Sequence, residues 1–114
     1  MALKLYGSGL IDLTDDQGNT KIGENAGDSF DGTNAIQNTL FGSDAGTAIT
    51  TGDYNTAIGY DSLKANTTGG RNTVVGRNAL DANTTGDDNT AIGIAALTAN
   101  TTADDNTAVG AFSL

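Results

Sequence analysis

The chain is 114 residues long, with Lys+Arg 5 against Asp+Glu 14, a net charge of −9, and no histidine, cysteine or tryptophan. That acidic balance disfavours nucleic acid and anionic membrane as partners, and the missing residue types exclude most nucleophile–base pairs, soft-metal sites and disulfide frameworks. No apolar stretch approaches the ~20 residues of a membrane span.

In chain order, residues 1–18 come first and stand apart from the remainder of the chain. Leu3-Lys4-Leu5-Tyr6 and Leu10-Ile11-Asp12-Leu13 alternate at period two around Gly7-Ser8-Gly9, which predicts a pair of short strands. Such a pair can cap the first coil of a stacked structure, whose end would otherwise expose unpaired strand edges. Its apolar residues Leu3, Leu5, Tyr6, Leu10, Ile11 and Leu13 are also the candidates for attachment to a larger protein. The segment lacks the apolar run of a secretory signal.

From Asn19 onward the chain repeats. Asn-Thr recurs at Asn55, Asn72, Asn89 and Asn106 in steps of 17 residues, with Asn38 one step earlier and Asn19 a further 19 residues back. Residues 19–114 are thus six copies of one unit, the last cut short. A fixed period of this size is the signature of a solenoid whose units must stack to bury a core. The first copy has two extra residues and Phe30, as terminal repeats often differ from the rest.

The unit reads Asn-Thr-x-(Ile/Val/Phe)-Gly, then a variable stretch, then Thr-Thr-Gly in most copies. Its fourth position is Ile22, Phe41, Ile58, Val75, Ile92 and Val109, and its fifth is glycine in all six copies. Its ninth is Leu63, Leu80, Leu97 and Leu114 in the later copies but Gly27 and Gly46 in the first two. Thr, Ile and Val suit a pleated strand, and Asn, Gly and Thr at this density disfavour helix. The best helical run, Ala95 to Ala99, is too short to nucleate. Two short strands per coil are expected, joined by one turn near the invariant glycine and another at Thr-Thr-Gly. Successive coils should pair in parallel about 4.8 Å apart. The first-position asparagines should stack as an amide ladder, and the fifth-position glycines should supply a positive φ or a close backbone approach.

Each coil offers few large apolar side chains, while ordering its backbone costs roughly 1–2 kcal/mol per residue. Burial between identical chains is the natural supplement. A homotrimer is expected, with Ile22, Phe41, Ile58, Val75, Ile92 and Val109 together with Leu63, Leu80, Leu97 and Leu114 meeting at its core. The terminal Phe112-Ser113-Leu114 would plug its axis.

Asn-Thr-Ala-Ile-Gly-Tyr (55–60), Asn-Thr-Val-Val-Gly (72–76) and Asn-Thr-Ala-Ile-Gly (89–93) resemble repeats of phage tail-fibre and virion-fibre proteins. They are also similar to the Asn-Ser-Val-Ala-Ile-Gly repeats in the heads of trimeric autotransporter adhesins. The resemblance spans Asn19 to Leu114 and implies an all-β fold: a short parallel β-roll or β-helix of 17-residue coils, assembled as a homotrimer. An adhesin needs a secretory signal, stalk and membrane anchor, none of which the sequence shows, whereas a phage structural protein needs none. The expected role is a trimeric capsid decoration protein or short head fibre on the virion surface. It would be made in the host cytoplasm and held to a major capsid or other virion protein by residues 1–18. The alternatives are a receptor- or glycan-binding tip of a tail fibre, with a host surface glycan as partner, and, more remotely, an ice-binding protein built on its Thr rows.

No catalytic residue and no cofactor is expected. A phosphate cradle would require a helix and a lysine after the glycine. Asp87-Asp88 and Asp104-Asp105 stack one coil apart, so a hard cation could in principle bridge them through oxygen. No calcium-loop pattern surrounds them, and solvated turn residues are the expected reading. The Asn-Thr-Thr sequons recur because the turn recurs.

Overall fold

The computed structural model of the chain describes residues 4–5 and 11–114. Every regular element among them is a strand. β1 (Lys4–Leu5) and β2 (Ile11–Asp12) form an antiparallel pair in which Leu5 lies opposite Ile11. The remaining strands are β3 (Thr20–Ile22), β4 (Thr39–Phe41), β5 (Thr56–Ile58), β6 (Thr73–Val75), β7 (Thr90–Ile92) and β8 (Thr107–Val109). They form one six-stranded parallel sheet in sequence order. Asn-Thr pairs with Asn-Thr throughout: Thr39 opposes Thr56, Thr56 opposes Thr73, and Thr73 opposes Thr90. This is the all-β parallel solenoid that the period implied.

Each coil holds one three-residue strand where two were expected. The far side, roughly positions six to twelve, is built from turns. Positions seven and nine both take the left-handed conformation, as at Asp61 (φ 55) and Leu63 (φ 53), Asn78 (φ 57) and Leu80 (φ 49), and Ala95 (φ 55) and Leu97 (φ 53). A strand needs extended φ, so these residues cannot form one. Their backbone groups still bond from coil to coil. The Leu63 N–H donates to the Ala79 carbonyl at 3.0 Å, and the Asn78 N–H donates back to the Tyr60 carbonyl at 2.9 Å.

The core explains why the ninth position switches from glycine to leucine. Position three points inward in every later coil, and the buried set includes Leu40, Ala57, Val74, Ala91 and Ala108. In the second coil Leu40 and Ile49 fill the interior, and a Cβ on Gly46 would lie 2.8 Å from Ile49 and 3.0 Å from Leu40. In the third coil the inward residue shrinks to Ala57 and Leu63 enters from the other side, fully buried. The two arrangements exchange volume at nearly constant packing. Holding leucine in the left-handed region costs about 1–2 kcal/mol; losing a buried leucine costs about 2–5 kcal/mol, so burial wins.

The fifth-position glycines are fixed by two constraints at once. Gly76 has φ 141, and a Cβ there would lie 2.4 Å from the carbonyl oxygen of Gly93 in the next coil. Gly76→Ala should therefore cost about 3 kcal/mol or more. Gly32→Ala, at φ 81 with nothing within 4 Å of the added carbon, should cost only about 1 kcal/mol. Paired denaturant titrations of the two variants test the contrast.

Candidate functional site

Buried amides run the length of the solenoid. Asn19, Asn38, Asn55, Asn72 and Asn89 are all essentially inaccessible. The Asn72 Nδ2 donates to the Gly86 carbonyl at 2.9 Å and to the Asn55 Oδ1 at 3.1 Å, while the Asn72 Oδ1 accepts the Asn89 backbone N–H at 3.0 Å. The same backbone-to-Oδ1 bond links Asn38 to Asn19, Asn55 to Asn38 and Asn106 to Asn89. With its polar atoms consumed internally, this row is structural and offers nothing to a ligand.

The ladder starts on a carboxylate. The Asn19 backbone N–H and Nδ2 both donate to Asp15 Oδ1, at 2.9 and 3.2 Å. Asp15 thus stands where a preceding coil's asparagine oxygen would stand, and residues 15–18 form the turn that brings it there. Thr14 makes an antiparallel bridge with Thr20.

A second amide ladder occupies the twelfth position. Asn83 Nδ2 donates to Asn66 Oδ1 at 2.8 Å, Asn100 Nδ2 to Asn83 Oδ1 at 3.0 Å, and each also reaches its own coil's turn carbonyl. By sequence these asparagines read only as sequon members. Their 17-residue spacing, equal to that of the Asn-Thr row, was the available signal. The adjacent Thr-Thr pairs also divide labour. The first Thr hydroxyl donates to the next coil's carbonyl, as from Thr67 to Thr84 (3.1 Å) and from Thr84 to Thr101 (3.0 Å), while the second, as at Thr68 and Thr85, faces solvent.

The acidic turn residues have structural partners. Asp87 Oδ1 accepts the Gly70 N–H at 2.7 Å, Asp104 Oδ1 accepts the Asp87 N–H at 2.8 Å, and Asp53 Oδ1 accepts the Ile36 N–H at 2.9 Å. Asp88 holds Arg71 through two bonds of 2.7 and 2.8 Å; the guanidinium lowers the Asp88 pKa and the carboxylate raises that of Arg71. Asp105 is exposed. Among the described residues, no group of three or more acidic side chains is placed to hold a metal ion. Asp61 is buried in the third coil, and its Oδ1 takes no hydrogen bond of good geometry but meets the Lys64 ammonium at 3.0 Å.

The residues expected at a trimer core divide into two sets. Leu63, Leu80 and Leu97 are buried within their own chain, which corrects their assignment to an interchain face. The left-handed backbone at position nine turns these side chains inward, where the small residue at position three leaves room. The fourth-position residues point outward: Phe41 is 54%, Ile58 41% and Val109 67% exposed. Ile92 is also exposed, and Ile22 and Val75 are half-buried. With the second-position threonines they make the outer face of the sheet, which carries no charged residue at either position. Phe112 and Leu114 are exposed. Of the attachment candidates, Leu5 and Ile11 lie in the β1–β2 pair and Leu13 is half-buried; Leu3, Tyr6 and Leu10 lie outside the described residues.

Family models, curated proteins and solved structures all give no match to the chain.

The ladder and the first turn can each be tested. Asn72→Ala strands the Asn89 N–H in the interior while the Gly86 carbonyl keeps its bond from Asn83, and should cost about 1–3 kcal/mol; Asn106→Ala, at the partly exposed end with no donor on its Oδ1 among the described residues, should cost about 1 kcal/mol. Denaturant midpoints compare them. Asp31 accepts the backbone N–H groups of Asn34 (2.7 Å) and Thr33 (2.9 Å), which hold its pKa down at about 2 against an ordinary 3.8. A depressed carboxylate stabilises the fold above its unfolded pKa and loses that contribution as pH falls through the folded one. Amide-exchange protection at Thr33 and Asn34 should therefore be full above about pH 4 and fade towards pH 2.

Proposed function

We propose that the chain is a virion structural module and not an enzyme: a capsid decoration protein or short head fibre, trimeric, and held to a virion protein through residues 1–18. The observation that carries this reading is the destination of its polar side chains. The repeated asparagines, the inner threonines and the turn aspartates Asp53, Asp87, Asp88 and Asp104 are bonded to neighbouring coils, which suits a rigid spacer better than a reactive site. The Asn-Thr-Ala-Ile-Gly repeats, similar to those of phage fibres, supply the context. A net charge of −9 supports solubility of densely displayed copies. The antiparallel β1–β2 pair ahead of the coils is the element available for attachment.

A receptor- or glycan-binding role has one observation in its favour. Phe41, Tyr54 and Tyr60 are all about half-exposed and lie in two adjacent coils. A glycan array with reproducible hits that disappear in Tyr60→Ala would move the assignment to this second reading.

Purified protein mixed with capsids of a phage lacking it should co-sediment with them, and removal of residues 1–18 should abolish binding while circular dichroism still reports β structure. Failure of the intact chain to co-sediment would count against the virion role.

A further inference from the structure

We infer that the outer face of β3–β8 is the surface through which copies of this chain meet, with its centre on the third and fourth coils. The inference rests on the self-association in the proposed function and narrows it to one face and a few residues.

Three observations single out this face. First, the solenoid interior is already filled by positions three and nine, so the fourth-position row is surplus to the chain's own core. It nevertheless runs as an unbroken apolar line, Phe41 opposite Ile58, Ile58 opposite Val75 and Val75 opposite Ile92. Second, copies carrying −9 each repel. The acidic residues of the coils occupy the turns, and the strand face, built from threonine and aliphatic side chains with Phe41, is where like-charged copies can come together without burying a carboxylate.

Third, the composition at the middle of the face is that of an interface centre. Both arginines of the chain and two of its three tyrosines lie immediately before or after β5 and β6: Tyr54 and Tyr60 bracket β5, Arg71 and Arg77 bracket β6. Tyr and Arg are the residues enriched where association energy concentrates. Arg71 is already committed to Asp88. Arg77 is exposed, and no carboxylate among the described residues lies within ion-pair distance of it. In a protein with 14 acidic residues, a second copy is an abundant source of a carboxylate for that guanidinium. Six strands at about 4.8 Å make a face only about 24 Å long, at the small end of specific interfaces. Association should therefore be in the micromolar range and concentration-dependent.

Sedimentation velocity on the purified full chain from 1 to 200 micromolar tests this, with circular dichroism to verify folding. The intact protein should associate. Ile58→Asp combined with Ile92→Asp should leave a folded monomer, and Arg77→Glu should weaken association at least tenfold. Thr85→Asp, on an exposed turn away from the strands, should change little. A monomeric intact chain would overturn the inference, as would association that survives the double substitution or that Thr85→Asp alone destroys. If the double variant unfolds, Ile58→Ser with Ile92→Ser replaces it, and undiminished association of that folded variant likewise refutes the assignment. Because the assay contains no capsid, its failure is separable from failure of the virion role.

Discussion

Neighbouring coils touch backbone to backbone at the fifth position, and the rest of the structure is arranged around that contact. A single added carbon at Gly42, Gly59, Gly76 or Gly93 would meet the next coil between 2.4 and 2.7 Å away. With side chains absent there, the coils close to strand-pairing distance, and parallel hydrogen bonding runs across all six of them. The close approach has a second effect: it leaves no room inside the coil for water to solvate the polar groups of the turn backbone. Those groups must be satisfied by the chain itself.

The two asparagine ladders answer that requirement. An amide carries both donors and an acceptor, so one side chain can serve its own coil's turn carbonyl and the next coil's backbone N–H together. Asn72 does both. Identical residues are needed at identical places because each is both recipient and supplier. A hydroxyl is enough where only one carbonyl needs a donor, and Thr67 and Thr84 fill that place. Asp15 ends the first ladder because a carboxylate accepts without donating. Each interior coil is thereby tied to both neighbours, and a substitution in one should be felt in the next.

The apolar side chains obey a different rule. The large apolar groups of the interior come from positions three and nine, with Ile49 added in the second coil, and between the second and third coils Leu40 with Gly46 gives way to Ala57 with Leu63. The fourth-position residues have no place inside and stand outward on an uncharged face. That division separates the groups that hold one chain together from those free to engage another.

The sequence by itself determined the period, the parallel register, the location of the strand within each coil, the role of the fifth-position glycine and the first amide ladder. All of these are properties of residue type at a fixed spacing, and stacking multiplies each of them along the axis. Only the tertiary structure decided which way the ninth position faces, that the far side of the coil is turn and not strand, and that Asn66, Asn83 and Asn100 form a second ladder. The reason lies in the backbone. Alternation of side chains between two faces holds only for extended residues, and Asp61, Leu63, Asn78 and Leu80 adopt positive φ. Each reverses the direction of the residues after it. Asn and Asp give weak local signals for that conformation and Ala and Leu give none, because it is imposed by neighbouring coils through their hydrogen bonds and by the space left beside a small residue at position three.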